Sequence, residues 1–173
     1  MQFLSQYVIN FNSLKEGLHE FDLEVDNNLF KHFGHEDFNS CTIKIKIGLV
    51  KKSNLLELNF ISQGSININC HVSNESFNYK QNSTMDLVVK FGSKTNSDSE
   101  ELLILPKGSY QIDVSQQLYE MIVLSLPIKI IHPGVEDGTL ESETVNRLKK
   151  YESNTHKNIS KTDPRWDKLK DLI

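Results

Sequence analysis

Cysteine is scarce: the 173-residue chain carries only Cys41 and Cys70. That is too few for a disulfide framework or a four-cysteine zinc site, and both are read as reduced thiols, at least one packed in a sheet. Long apolar runs are missing too. No segment approaches the roughly 18 residues of a membrane helix, so no membrane partner is expected. Positive charge is not in excess, with 19 Lys+Arg against 23 Asp+Glu and a formal net charge of -4. A chain that neutralises phosphates over a broad surface needs the opposite balance, so any RNA contact would have to come from a local patch. The opening residues Met1 to Gln6 lack the charged start and apolar core of a signal peptide, and a cytoplasmic location is expected.

Chemistry-bearing motifs are missing as well. There is no glycine-rich phosphate loop, no HExxH pair and no GxSxG elbow, so no catalytic residue, cofactor or small-molecule substrate is expected. His32 and His35 lie three apart and could share a helix face, but no third ligand accompanies them. Cys70 and His71 are adjacent, which on a strand points them to opposite faces. No metal site is expected.

What is present is a period of two. Tyr7, Ile9 and Phe11 alternate with Val8, Asn10 and Asn12, and Phe21, Leu23 and Val25 alternate cleanly with Glu20, Asp22 and Glu24. The connection at Lys15 to Gly17 suggests a hairpin between them. Leu29, Phe30 and Phe33 then fall at helical spacing behind a cap at Asp26, with Gly34 as the stop. Cys41, Ile43, Ile45, Ile47 and Leu49 form the strongest strand pattern. Leu56 to Phe60 reads as the next strand, Gly64 as a bend or bulge, and Ile66 to Val72 as its continuation. Met85 to Phe91 is a further strand. Residues 92 to 101 read as a solvated loop, and Leu102 to Leu105 as a short buried strand.

The period then changes. Val114, Leu118, Met121, Ile122 and Leu126 follow helical spacing, with Asp113 or Ser115 as cap and Pro127 as the stop. Ile128, Ile130 and Ile131 look like a last buried segment. The expected fold class is α+β: a mainly antiparallel β-sheet or partly open barrel packed by one central helix, with an extended C-terminal tail ending in a short helix. Residues 1–132 would form the β-rich domain and residues 133–173 a polar extension with a weak helix at Glu141 to Tyr151.

Candidate contacts lie in two places. Lys44 and Lys46 share the polar face of a strand, with Lys51 and Lys52 at its end. They are either ordinary solvated lysines that discourage edge pairing or a patch for RNA phosphates. The tail holds the only tryptophan, in Asp163-Pro164-Arg165-Trp166 ahead of Leu169. Asp followed by Pro is a good helix start. A tryptophan in a polar extension either folds back onto its own domain or anchors a partner.

Taken in order, these residues resemble the YceD family, long described only as a domain of unknown function. The resemblance begins with Phe11, Leu14, Gly17 and Phe21. It continues through Gly64 and Ser65 to Cys70, where many members carry Cys-x-x-Cys. Its most specific part is Ile112-Asp113, then Tyr119-Glu120, then Leu124-Ser125-Leu126-Pro127, and the Asp163-Pro164-Arg165-Trp166 segment completes it. The resemblance implies a role in large-subunit biogenesis, specifically accumulation of large-subunit (23S) rRNA, with no enzymatic activity established for the family. Members are often encoded beside a large-subunit ribosomal protein. The expected partner is such a protein or a pre-ribosomal particle, with rRNA as an alternative, and Asp163, Pro164, Arg165, Trp166 and Leu169 are the candidate docking element. Cys70-His71-Val72-Ser73 keeps only the first cysteine of the family pattern, so a metal held there in relatives would not be held here.

Overall fold

Alternation along three long strands builds the main sheet. β3 (Phe38–Lys51), β4 (Leu55–Asn69) and β5 (Ser76–Phe91) run antiparallel in sequence order. β2 (Gly17–Asp26) adds to one side and β6 (Leu102–Leu105) to the other, giving a five-stranded sheet of order β2-β3-β4-β5-β6. Only the β5–β6 pair is parallel. The sheet keeps its two end strands, so it is not a closed barrel. The computed structural model describes residues 5–92 and 102–156, with side chains to residue 151.

The chain divides into two compact units, Met1–Asn69 with Ser76–Ile130, and Cys70–Glu75 with Ile131–Ile173. In the first, the inward face of the sheet is apolar. Ile43, Ile45, Ile47 and Leu49 of β3 meet Leu56, Leu58, Phe60 and Ile66 of β4 in one buried cluster. Two helices, rather than a single central one, add to it. α1 (Asn27–His32) contributes Leu29 and Phe30, and α2 (Ser115–Leu124) contributes Leu118 and Ile122. Asp26 caps α1 by accepting from the Asn28 N–H, and Gly34 takes a positive φ of 72° just beyond it, as the sequence suggests.

Several expectations give way to longer-range pairing. β1 (Val8–Asn10) does not form a hairpin with β2. It pairs with β7 (Gln111–Asp113), and the Phe11 and Asn12 N–H groups both donate to the Tyr110 carbonyl. β2 instead pairs along its own whole length with β3 from Thr42 to Lys51, where Phe21, Leu23 and Val25 lie opposite Ile47, Ile45 and Ile43. Gly64 is neither bend nor bulge. The register passes through Ile43↔Gly64 unbroken, and the irregularity lies between Phe38 and Ser40. β4 ends at Asn69, so Cys70 and His71 sit in a turn rather than on a strand. β5 starts at Ser76, well before its apolar run, because backbone pairing with β4 does not depend on side-chain polarity. Ile128 is fully exposed, whereas Ile130 is buried.

The second unit holds residues 70–75 together with α3 (Pro133–Glu136) and α4 (Glu143–His156). The His132 side chain caps α3 by accepting from the Gly134 N–H at 2.9 Å. Among the described side chains of α4, Val145 is buried, while Leu148 stays exposed.

Candidate functional site

The outward-facing residues of the five-stranded sheet are exposed or half-buried, and their composition changes along the strands. At one end, Asn39 donates to Asn67 and Asn69, and Asn67 donates to Asn78. In the middle, Glu24 lies directly across from Lys44 and Asp22 directly across from Lys46. Opposite charges facing each other across a ladder stabilise it modestly and cancel one another's field.

Beyond that row the face sinks. Gly48 has no side chain, and a hollow of about 510 Å³ opens over it, walled by Leu18, Val50, Glu57 and Val88. A smaller hollow of about 230 Å³ continues toward Asp22, Lys46 and Ile61. Leu18 is 64% exposed and Ile61 48%. Asn59 donates to Asp86 at 2.7 Å, and Lys52 pairs with Glu57 at 2.5 Å.

The four lysines singled out from sequence therefore have different surroundings. Lys44 and Lys46 belong to the charge-matched rows, and Lys52 to an ion pair. The Lys51 ammonium donates to the carbonyls of Phe11 at 2.9 Å, Asn12 at 3.4 Å and Leu14 at 2.8 Å. It gathers carbonyls from the β1–β2 connection that no strand partner satisfies. Lys51→Met should lower stability by about 1–3 kcal/mol, because partly buried acceptors lose a charged donor. An unchanged denaturation midpoint would free Lys51 for some other role.

On the inner face a closed polar network interrupts the apolar cluster. The Gln81 amide donates to Ser62 at 3.0 Å, Ser83 at 2.8 Å and Ser125 at 3.1 Å, and Ser62 and Ser83 share a 2.7 Å bond. Ser62 and Gln81 are buried. A network with every member partnered fixes register rather than offering a reactive group. Nothing in the alternation flags it, since Gln81 and Ser83 read as part of a polar interval.

The motif positions at α2 have structural jobs of this kind. Ile112 is buried, and Asp113 accepts from the Ser115 N–H at 2.9 Å at the start of the helix. Tyr119 stacks on Phe33 with centroids 4.5 Å apart. Ser125 donates to the Ile122 carbonyl at 2.7 Å and accepts from Gln81. His35 packs against Phe30, Phe38 and Tyr119, while His32 lies edge-on to Phe33. The two rings thus belong to an aromatic cluster.

The thiols differ sharply. Cys41 is buried in β3, and desolvation with Asp26 nearby pushes its pKa up to about 12. In the second unit, the Cys70 sulfur accepts from the N–H groups of Val72 and Ser73 at 3.4 Å and of His132 at 3.2 Å. Burial opposes the thiolate, but hydrogen bonds from Ser73, His132 and Val72 outweigh it and bring the pKa from 9.0 down to about 7. Such a group stabilises the fold above its unfolded pKa and loses that contribution as pH falls through the folded one. Stability should therefore rise between about pH 7 and 9. Cys70→Ala should abolish that rise and cost about 1–3 kcal/mol by orphaning buried donors. Hydrogen exchange at Val72, Ser73 and His132 reports it, and unaltered protection there would contradict it. Among the described residues no group of three or more His, Cys, Asp or Glu converges to hold a metal. Ser73, three residues after Cys70, is buried, and its hydroxyl oxygen accepts from the Glu75 N–H at 3.4 Å. Asp163, Pro164, Arg165, Trp166 and Leu169 lie outside the described residues.

Among the described residues, then, the chain is of the α+β class, with an antiparallel-dominated sheet whose outward face is largely polar. It belongs to the YceD family: the model for the large ribosomal RNA subunit accumulation protein YceD matches residues 58–173. No curated protein and no solved structure matches the chain. Among the described residues, no helix is long and apolar enough to cross a membrane.

Proposed function

We propose that the chain is a non-catalytic cytoplasmic factor in large-subunit biogenesis, supporting 23S rRNA accumulation by binding a ribosomal protein or an assembly intermediate. The observation that carries this reading is the family match over residues 58–173, under a description that names large-subunit rRNA accumulation. The tail residues Asp163, Pro164, Arg165, Trp166 and Leu169 fall inside that match and are assigned the docking role. A tryptophan flanked by charge is a common anchor at protein interfaces.

Charge supports a protein partner over RNA. The chain is acidic overall, with a net charge of -4, and Lys44 and Lys46 stand opposite carboxylates. Direct RNA contact through Lys44, Lys46, Lys51 and Lys52 is the competing mode, and it predicts steeply salt-dependent binding to rRNA fragments.

Depletion of the protein, followed by gradient profiling, tests the main reading. Large-subunit rRNA and particles should fall, and unchanged levels would sink the proposal. A pull-down with the full chain beside a truncation ending before Thr162 tests the tail. Equal recovery of the same partners by both would remove the docking role.

A further inference from the structure

We propose that the hollow over Gly48, on the outward face of the main sheet, receives a basic protein segment carrying one large apolar side chain. This rests on the assembly reading above and names the chemistry of a partner contact on the sheet itself.

The shape comes from the sequence. Gly48 lies in the row Glu20–Gly48–Asn59–Asp86, where it is the one position that projects nothing. The next row is Leu18–Val50–Glu57–Val88. The hollow of about 510 Å³ opens between them, and its outward-facing apolar side chains, Leu18, Val50 and Val88, stand along that second row. A cavity of that size takes an aromatic or long aliphatic side chain. An apolar side chain as exposed as Leu18, at 64%, gains by being covered.

The charge selects the partner. The two adjoining hollows are lined by Glu20, Asp22, Glu57 and Asp86, with Lys46 as the only cation among the described lining residues. Lys46 faces Asp22 across the ladder, and Lys52 already pairs with Glu57. With Asp22 and Glu57 so matched, Glu20 and Asp86 set a negative field over Gly48. It repels nucleic-acid phosphates and attracts Lys and Arg, so a basic chain with an apolar anchor is steered in and then held by burial. Asp86 is oriented for this by the Asn59 amide.

Gly48 also provides the test. An added Cβ meets only the flexible Leu18 Cδ1 at 3.9 Å, so Gly48→Val places a branched side chain in the floor of the hollow from a position with room for its Cβ. Glu20→Lys, at an exposed position, inverts the rim charge as a second variant. The probe is a fluorescein-labelled 12-residue peptide of Lys and Arg with one central Trp. Its controls are the same peptide with Ala for Trp, and a 12-nucleotide RNA. Binding to the full chain is followed by anisotropy, and the site by backbone amide shifts at Gly48, Asn59 and Val88.

The peptide should bind about tenfold more weakly to Gly48→Val and to Glu20→Lys, and the Ala peptide about tenfold more weakly to the wild type. The RNA should not compete. Equal binding of the Trp peptide to wild type and Gly48→Val, or effective competition by the RNA, overturns the inference. Both outcomes leave the assembly reading intact. That reading fails separately if cells lacking the protein accumulate large-subunit rRNA normally.

Discussion

Gly64→Ala is expected to lower the unfolding free energy by about 3 kcal/mol, the upper end for overpacking substitutions. The added Cβ would lie 2.3 Å from the Thr42 carbonyl oxygen and 2.6 Å from the Ile43 Cα. Both are backbone atoms of the neighbouring strand, so no side chain can rotate away. β3 and β4 must separate or slip, and either breaks the Ile43↔Gly64 register on which the inward isoleucines depend. Restricting the unfolded chain by replacing glycine recovers only about 0.4–1 kcal/mol. The denaturant midpoint measures the net loss, with an unchanged slope indicating that the fold is otherwise kept. Gly48→Ala, on the same strand pair but with open space around it, is the control and should be neutral or slightly stabilising. A Gly64→Ala midpoint equal to wild type would mean that the strands do not approach so closely.

The contrast between these two glycines marks where sequence reasoning stops. Ile43 to Leu49 announces its strand through strict alternation, because burying one face of a pleated strand demands it. The Asp26 cap and Gly34 stop of α1 are legible for the same local reason, each acting within a few residues of itself. Gly64 and Gly48 look alike in sequence. One is excluded from carrying a side chain by the backbone of residues 42 and 43, and the other merely leaves a hollow. The neighbour that decides lies some twenty residues away, and no local pattern encodes it.

Pairing partners were hidden for the same reason. Val8–Asn10 alternates well enough to be a strand, but its partner Gln111–Asp113 is a hundred residues distant and only three residues long. The hairpin reading followed from proximity in sequence, which is a good default but not a rule. Gln81 shows another limit. A buried amide is tolerable only when its hydrogen bonds are made, and Ser62, Ser83 and Ser125 come from separate elements to make them. The lysines show it for the candidate site. Their spacing fits either one patch or ordinary solvated lysines, whereas in the fold Lys51 turns to backbone carbonyls while Lys44 and Lys46 face carboxylates on β2.

Phe60→Ala should have the largest effect of any single truncation on the sheet, about 3–5 kcal/mol. Phe60 is 0% exposed, at the middle of the central strand, opposite Ile47 and Met85. Its loss leaves a cavity that the flanking β3 and β5 can close only by leaving their ladders. Against a typical total of about 5–15 kcal/mol, that loss is enough to populate the unfolded chain, and thermal or chemical unfolding will report it. The adjacent residue makes the comparison informative. Ile61 points to the outward face and is 48% exposed, so Ile61→Ser should cost no more than about 0.5 kcal/mol. A large loss at Phe60 with a small one one residue later is the signature of a sheet covered on one side only. If Ile61→Ser proved nearly as costly, the outward face would be packed against something within the isolated chain, and it could not be the surface that meets a partner.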